Sequence, residues 1–466
     1  IDELFFSTTD PKGIILSGNN VFCRVSDYKF EEMYHKAHSL IRHPDMPRAV
    51  FKLLWDYLKL GKPIAAYVKN LAADGKYYWV LALVAPLKEG YLSVRFKPSS
   101  DIFRNVEKIY KELREIENKT GDRGNDRKLG MARSTERLLK ILKDLGFDCY
   151  DSFMHTAIRE EMKSRDSLLA KNHTTIVKEV QKNLLNLIEN HPSAEVLKHI
   201  FNVYKNSYEA YSIINSLYDN IDDFINLNET LTEKSGYVLG LTTKFQLLSI
   251  NTAIEASKLG TDGLSLGVIA NHLGTSSKSM EIVVSNFTHQ IEEIVETLKS
   301  VIFNLAGSRL QSEMILVFCN ELLENAFIDG QARKISDIET LEQNLLNLNF
   351  VLAQTILTTA KQLNFLTSRL SNFDLTSEEL SKLVTTLRFS QLRGTMEATS
   401  VNASQNFSGL FESVREQIDE AQVQLRDLSN SLKKIFLQLK LTPAMINTID
   451  VSIKKSTKEA GEISIH

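Results

Sequence analysis

The turn RHPDMP, which begins at Arg42, brings three kinds of polar side chain together between apolar segments. Arg42 presents a planar fork of N–H donors that suits phosphate or carbonyl oxygens, His43 titrates near neutral pH, and Asp45 accepts hydrogen bonds. An Arg42–Asp45 ion pair with His43 at a helix cap would need no ligand. Alternatively, these groups together with Asn19 and Asn70 provide the few placed donors and acceptors that an otherwise apolar ligand pocket requires.

The composition of the chain narrows the classes of protein to consider. Its 466 residues, 43% hydrophobic and 24% charged, are enough for several domains with buried cores. The formal net charge of −3 provides no general attraction to nucleic acid or anionic lipid. Three widely separated cysteines show neither metal-ligand spacing nor a disulfide framework. The longest apolar run is far shorter than the roughly 20 residues of a membrane span, so we predict a cytoplasmic protein without a membrane span, a nucleic-acid partner or a metal site.

Proline placement divides the chain into a mixed N-terminal region and a helical remainder. Six of the eight prolines lie within the first 98 residues, and because proline interrupts helices, the rest of the chain is free to form long ones. Residues 1–100 show two strand patterns, several short helices and three more strand patterns, with turns at DPKG, AADG and KEG. From residue 101 the apolar residues recur with helical spacing. This predicts an α+β domain with a five-stranded antiparallel sheet, followed by long helices.

Several sequence motifs in the first region are similar to those of a known sensor family. The motifs are STTDPKGIILSGNNVFCRVSDY, RHPDMP, VKN and YYWV. In this order they resemble the flavin-binding PAS domain of bacterial aerotaxis receptors, and the resemblance covers residues 4–97. It implies that the polar turn closes over FAD. The candidate cofactor-binding residues are Asn19, Arg42, His43, Asp45, Ile64, Asn70 and Trp79.

One of these positions departs from the family. Directly after the sequence GKP, aerotaxis receptors have a tryptophan that packs against the flavin. This chain has Ile64 at that position. Aromatic stacking contributes about 0.5–1.5 kcal/mol beyond area burial, so its loss should weaken FAD binding without abolishing it. Ile64→Trp should then raise FAD affinity or leave it unchanged. Heme b, with His43 as an axial ligand, and an empty pocket are the alternatives.

The segment LLSINTAIEASKLGTDGLSLGVIANHL (247–273) resembles the hairpin tip of methyl-accepting chemotaxis receptors. The resemblance implies antiparallel helices, near 236–259 and 264–290, that meet at a glycine turn near 260–263 and touch the chemotaxis histidine kinase or its adaptor. Several contact positions of the family are changed here, which predicts weak kinase binding, a divergent adaptor, or a private hydrophobic contact. The candidate partner-binding residues are Glu255, Thr261, Leu264 and Leu266. The segment FSQLRGTMEATSV (389–401) is similar to this tip and suggests an internal duplication.

The C-terminal helices contain a heptad seam of apolar residues from Phe407 to Leu439, which requires a packing partner. Packing against the chain's own core and an intermolecular coiled coil fit the seam about equally well. We predict a homodimer and four segments, which are a PAS sensor domain (1–100), linker helices (101–150), a receptor-like antiparallel hairpin (151–326) and a C-terminal helical or coiled-coil segment (327–466).

The sequence carries no motif that indicates catalysis. It contains neither a histidine-kinase phosphoacceptor box nor a glycine-rich nucleotide loop, so we predict that the protein is not an enzyme. The two resemblances favour a cytoplasmic redox or energy sensor, related to oxygen sensing, with FAD in the PAS domain as input and receptor-like helices as output. The helix at 101–117 would transmit the change. The alternative is a cofactor-free, PAS-mediated dimeric scaffold without control of a chemotaxis kinase.

Overall fold

The computed structural model describes residues 3–121, 124–172, 188–189, 191–327, 337–400 and 405–465. The N-terminal domain contains a five-stranded antiparallel sheet with the spatial order β2-β1-β5-β4-β3. The strands are β1 (Phe5–Thr9), β2 (Ile15–Gly18), β3 (Ile64–Leu71), β4 (Tyr77–Pro86) and β5 (Tyr91–Phe96). Between β2 and β3 the chain forms α1 (Asn20–Ser26), α2 (Phe30–Met33), a 3-10 turn (His38–Ile41) and α3 (Arg48–Lys59). The predicted α+β domain with short helices is confirmed.

The two faces of the sheet have different neighbours, because successive side chains of a strand point to opposite sides. The inner face looks toward α3 and carries the side chains that surround a cavity. The outer face packs against helices. There the Tyr67 hydroxyl donates a hydrogen bond of 2.8 Å to Glu161, and the rings of Phe6 and Phe318 meet edge to face at 5.0 Å. The sheet therefore separates a candidate ligand site from the helices that pack on its outer face.

Long helices make up the remainder of the chain, as predicted. They are α4 (Asp101–Thr120), α5 (Gly124–Asp144), α6 (Tyr150–Lys171), α7 (Ala194–Asp219), α8 (Ile221–Lys258), α9 (Leu264–Asn325), α10 (Ile338–Ser400) and α11 (Gln405–Gly461). The chain forms two compact units. The first comprises Ile1–Asp219, Ile302–Ala360 and Ala444–His466, and the second comprises Asn220–Val301 and Lys361–Pro443.

In the first unit, the α4–α5 hairpin is joined to the N-terminus of α3. The buried carboxylate of Glu117, on α4, accepts hydrogen bonds from the backbone N–H groups of Arg48 (3.0 Å) and Ala49 (3.1 Å). These amides lie in the first turn of α3, where N–H groups have no partner within the helix. A carboxylate there also interacts favourably with the helix dipole. Glu117 thus fixes α3, which forms one wall of the cavity, to the helices that follow the sheet.

The second unit is an antiparallel four-helix bundle built from α8, α9, α10 and α11. Hydrogen bonds link α8 to α9 (Ser249 Oγ to the Ala270 carbonyl, 2.9 Å) and α9 to α10 (His272 Nδ1 and Ser390 Oγ, 2.9 Å). Seam residues from Phe411 to Leu439 are buried in it, whereas the side chain of Phe407 lies outside the described residues. The structure thus agrees with the interpretation in which the seam packs against the chain's own core.

The tip of the first hairpin is a 3-10 turn at Gly260–Gly263, as the resemblance implies. Gly260 has a φ of 59°, which favours glycine. A Cβ at Gly263 would lie 2.0 Å from the carbonyl oxygen of Ala256, so a larger residue would force this turn apart. The flanking helices α8 and α9 run antiparallel on the two sides of this turn.

The arms of α8 and α10 share one pattern of burial. Residues 242–258 and 384–400 have the same sequence of buried, half-buried and exposed side chains, except at Leu248 and Ser390. The exposed apolar residues fall at matching places, which pair Leu247 with Phe389, Ile250 with Leu392 and Ile254 with Met396. This agreement supports the internal duplication that the sequence suggests.

A designed disulfide tests the register of the first hairpin. A Cβ built on Gly274 would lie 3.8 Å from the Cβ of Ser249, which is about the mean separation in disulfides. With the native cysteines replaced by alanine, the pair Ser249→Cys and Gly274→Cys should oxidise within one chain and migrate faster on a non-reducing gel. Thr243→Cys with Gly274→Cys, which places one thiol on the exposed side of α8, should not. Exclusive formation of crosslinked dimers by the first pair would contradict this register.

Candidate cofactor pocket

A cavity of about 190 Å³ lies between the inner face of the sheet and α3. Its apolar wall combines residues of α3 with residues of the strands. These are Phe51, Leu54, Trp55, Leu58, Val68, Ala82 and Val84. Its polar side chains come from several different segments, and they include Ser7, His38, Arg42, Asn70, Ser93 and Arg95. An apolar chamber with a few placed polar groups is the usual form of a cofactor site.

Aromatic rings of α3 form one side of the cavity. Phe51, Trp55 and Leu58 are spaced by four and three residues, so they share one face of the helix. The Trp55 ring meets that of Tyr91 edge to face at 5.5 Å, and the guanidinium of Arg42 lies 3.6 Å from the centre of the Phe51 ring. The cavity therefore offers aromatic surface from α3, although the strand position of the family's tryptophan is Ile64.

A buried positive charge occupies the opposite side. Both terminal nitrogens of Arg95 donate to Ser7 Oγ at 3.0 Å, and one of them also lies 2.8 Å from His38 Nε2. Burial and the Arg95 charge lower the pKa of His38 to about 3, so its imidazole is neutral and accepts this bond. Burial lowers the pKa of Arg95 to about 10, which leaves it charged at neutral pH. In the described part of the chain, no carboxylate forms an ion pair with it.

Several buried polar atoms of the cavity wall have no hydrogen-bond partner among the described residues. They include Nε of Arg42 and Oγ of Ser93. Because buried polar groups in folded proteins are nearly always paired, such atoms need an explanation, and a ligand is one. Aromatic faces, unpaired donors and an uncompensated guanidinium together suit a flat, partly apolar ring with electron-rich polar edges. The residues present therefore fit a flavin.

The structure brings two of the predicted cofactor residues, Arg42 and Asn70, into this cavity. They are joined by a backbone bridge between the polar turn and β3. Ile64 lies on the same face of β3 but is fully buried and outside the cavity lining. A tryptophan there would have to displace core side chains, and overpacking of this kind typically costs about 1–3 kcal/mol.

Asn19 is buried at the junction between the sheet and α9 rather than in the cavity. Its Oδ1 accepts from the Phe6 amide at 3.2 Å, and its Nδ2 donates to Glu321 at 3.0 Å. Glu321 also accepts from the Asn20 amide at 2.7 Å, and burial raises the pKa of the Glu321 carboxyl. In this structure Asn19 attaches the start of α1 to α9, within the first unit.

His43 and Asp45 lie at the outer rim of the polar turn. Nδ1 of His43 accepts a hydrogen bond from the Asp45 amide at 3.1 Å, and the His43 ring is outside the cavity lining. Asp45 pairs with Lys69 at 3.1 Å, and this hydrogen bond holds the pKa of Asp45 below its usual value. The ion pair expected for a turn without a ligand is not formed, because Asp45 pairs with Lys69 and Arg42 packs on Phe51. The contacts also do not place His43 toward the cavity as an axial ligand for heme.

Trp79 is on the outer face of the sheet. Its ring packs 5.2 Å from Phe103 and 5.8 Å from Tyr110. The alternation of side chains along β4 explains this, because Ala82 and Val84 share the inner face and Trp79 does not. Trp55, Arg95 and His38 are the functional candidates that the motif-based reasoning missed.

Of the predicted partner-binding residues, three lie at the surface of the first hairpin. Glu255 pairs with Lys258 at 2.6 Å, Thr261 is in the exposed turn, and Leu264 is 70% exposed. Leu266 is fully buried in the bundle, which differs from the expected exposed position. The helix that begins at Leu264 turns the side chain of Leu266 inward, so of these two leucines Leu264 is the one available for a surface contact.

The comparisons with known proteins concern the N-terminal domain. Residues 15–92 match the family model described as the PAS fold, so this region is a PAS domain. A stretch of 117 residues is 38% identical to the aerotaxis receptor of Escherichia coli strain K12, covering 24% of this chain and 23% of the receptor. The PAS region is thus aerotaxis-receptor-like, and the match spans about a quarter of the length of that relative.

Solved structures similar to part of this chain include a photoreceptor LOV domain and a bacterial PAS domain. The light state of the LOV domain of the photoreceptor aureochrome 1 has 20% identity and a TM-score of 0.21, covering 22% of this chain and 88% of its own. A PAS domain from Colwellia psychrerythraea has 15% identity and a TM-score of 0.18, covering 20% and 85%. No helix within the described ranges has the length and apolarity needed to cross a membrane.

Proposed function

We propose that this chain is a redox or energy sensor, related to oxygen sensing, in which the PAS domain binds FAD as its input. The observation that carries the proposal is the inner cavity, where aromatic rings of α3 face a buried arginine that has no carboxylate partner within the described ranges. Similarity to an aerotaxis receptor in this domain supports it independently. Bound FAD would supply reversible electron transfer, which is the chemistry that a redox sensor needs.

The residues of the cavity have distinct tasks in this proposal. Trp55 and Phe51 provide apolar surface and exclude water from the ring. Arg42, Asn70 and Ser93 bind its polar edges, because each has a donor or acceptor at the cavity wall. Arg95 places a fixed positive charge in a site of low dielectric constant, where it favours the more negative form of a bound ring.

The output side of the proposal uses the outer face of the sheet. Glu161 of α6 binds Tyr67 of β3 and the amides of Ser99 and Ser100 at the start of α4. A rearrangement of β3 at the cavity would therefore displace the contacts of Glu161 with α4 and α6. In this proposal α6 transmits the change together with the helix at 101–117. A cytoplasmic location, a homodimer and a chemotaxis kinase or divergent adaptor as partner belong to the same proposal.

A matched pair of tryptophan variants tests the binding site. Trp55→Ala should lower FAD affinity about tenfold, since stacking contributes about 0.5–1.5 kcal/mol in addition to area burial. Trp79→Phe, which changes the only other tryptophan and lies on the outer face, should bind FAD like the wild type. Titration of FAD into each apo-protein measures the affinities, and circular dichroism confirms that both variants are folded. Equal losses in both variants would contradict the assignment of the inner cavity.

A further inference from the structure

A second, more open cleft of about 630 Å³ lies between α3 and α5. Its lining is rich in positive charge, although the chain as a whole has a formal net charge of −3. The basic residues of this cleft, which we call the basic cleft, are Arg42, Arg48, Lys52, Lys59, Arg127 and Lys128. Asp56 is the one acidic residue of the described lining, and it already pairs with Lys52 at 2.7 Å. Among the described residues of the lining, basic side chains therefore outnumber acidic ones.

The basic cleft adjoins the inner cavity, because Arg42, Phe51 and Trp55 line both. Arg42 stands at the junction, with its guanidinium against the Phe51 ring and its Nε unpaired. Burial lowers the pKa of Arg42, and the nearby positive charge of Arg127 lowers it further. Arg127 is thus close enough to repel Arg42, and an anion between the two guanidinium groups would relieve this repulsion.

We propose that the basic cleft binds the diphosphate of FAD while the inner cavity holds the flavin ring. This inference rests on the proposed function and makes it more specific. A single ligand that spans both spaces must be apolar and flat at one end and anionic further along, as a flavin dinucleotide is. Arginine and lysine suit phosphate oxygens, arginine through its fork of donors and lysine as a point charge.

The proposal makes α5 part of the cofactor site, although α5 lies beyond the residues that match the PAS fold. Arg127 and Lys128 project from the first turns of α5, opposite Arg48 and Lys52 of α3. A bound diphosphate would therefore hold α5 against α3. Because Glu117 of the adjoining α4 already caps α3, cofactor binding would be communicated to the whole α4–α5 hairpin.

Comparison of FAD with riboflavin tests this assignment, because riboflavin has the same ring and no phosphate. Wild-type protein should bind FAD at least tenfold more tightly than riboflavin, and added salt should weaken only the FAD complex. The double variant Arg127→Gln with Lys128→Gln should lose about tenfold in FAD affinity and keep its riboflavin affinity. The control Arg133→Gln with Lys140→Gln, which removes two exposed charges of α5 outside the basic cleft, should behave like the wild type.

Each outcome of this experiment has a separate meaning. Equal affinity of the wild type for both flavins, with no effect of the Arg127 and Lys128 changes, overturns the diphosphate site and leaves the flavin proposal standing. Binding of neither flavin by the wild type overturns the proposed function, and this inference with it. An equal loss of FAD affinity in the control variant also overturns the assignment, since it would reflect the general charge of α5.

Discussion

Glu161→Ala should lower the free energy of unfolding of the first unit by at least about 3 kcal/mol, because stranded buried donors cost about 1–3 kcal/mol each. The Glu161 carboxylate is fully buried. It accepts hydrogen bonds from the Tyr67 hydroxyl (2.8 Å), the amides of Ser99 (2.6 Å) and Ser100 (2.9 Å), and the Ser100 hydroxyl (2.7 Å). Removing the acceptor leaves these groups without this partner where the sheet meets α6. Denaturant unfolding, followed by tryptophan fluorescence, measures the loss.

The neighbouring residue provides a matched control. Glu160 is part of the same helix but pairs with Arg159 at a partly exposed position, where ion pairs contribute about 0–1 kcal/mol. Glu160→Ala should therefore change the free energy of unfolding by less than about 1 kcal/mol. Similar losses in the two variants would show that α6 is not fixed to the sheet by the Glu161 carboxylate.

Arg95→Met should stabilise the apo-protein and weaken flavin binding at the same time. Replacing a buried ion pair by apolar side chains of similar volume is often neutral or stabilises a protein by about 1–4 kcal/mol. We expect a change in the same direction for Arg95, which has hydrogen bonds but no carboxylate partner in the described part of the chain. In the FAD complex the same change removes a positive charge beside a ring that gains negative charge on reduction. The midpoint potential of bound FAD should fall by about 30 mV or more, which is a tenfold change for a two-electron couple.

Two measurements separate this role of Arg95 from a purely structural one. Thermal unfolding of the apo-protein should show a higher Tm for Arg95→Met than for the wild type, whereas loss of a structural contact would lower it. Spectroelectrochemical titration should show that Arg95→Lys, which keeps the charge, retains most of the wild-type potential. A less stable Arg95→Met apo-protein with an unchanged potential would contradict the account.

Much of the N-terminal fold follows from local patterns in the sequence. The turns at DPKG, AADG and KEG, together with the apolar runs between them, predict the five strands that are found. Side-chain alternation would also have assigned Trp79 to the outer face. Tyr78 pairs with Asn70, which points to the inner face, and the next residue of β4, Trp79, must point to the opposite face. The motif YYWV, taken as one unit, does not distinguish the two faces to which its neighbouring side chains point.

The remaining features depend on contacts between distant parts of the chain. Arg95 and His38 are in contact because the Arg95 side chain of β5 points to the side of the sheet on which the 3-10 turn lies. Asn19 binds Glu321, more than half the chain away, so no local pattern predicts that Asn19 leaves the cavity. The choice between an intermolecular coiled coil and a bundle within one chain likewise depends on how α11 pairs with other helices, and the heptad seam alone is compatible with both.

The most direct test of the central claim is the visible absorption spectrum of the protein, recorded as purified and again after incubation with FAD and removal of unbound ligand. The account predicts the bands of an oxidised flavin near those of free FAD, at about one flavin per chain, and their loss on reduction with dithionite. A Soret band, or no chromophore after incubation with FAD, would contradict it.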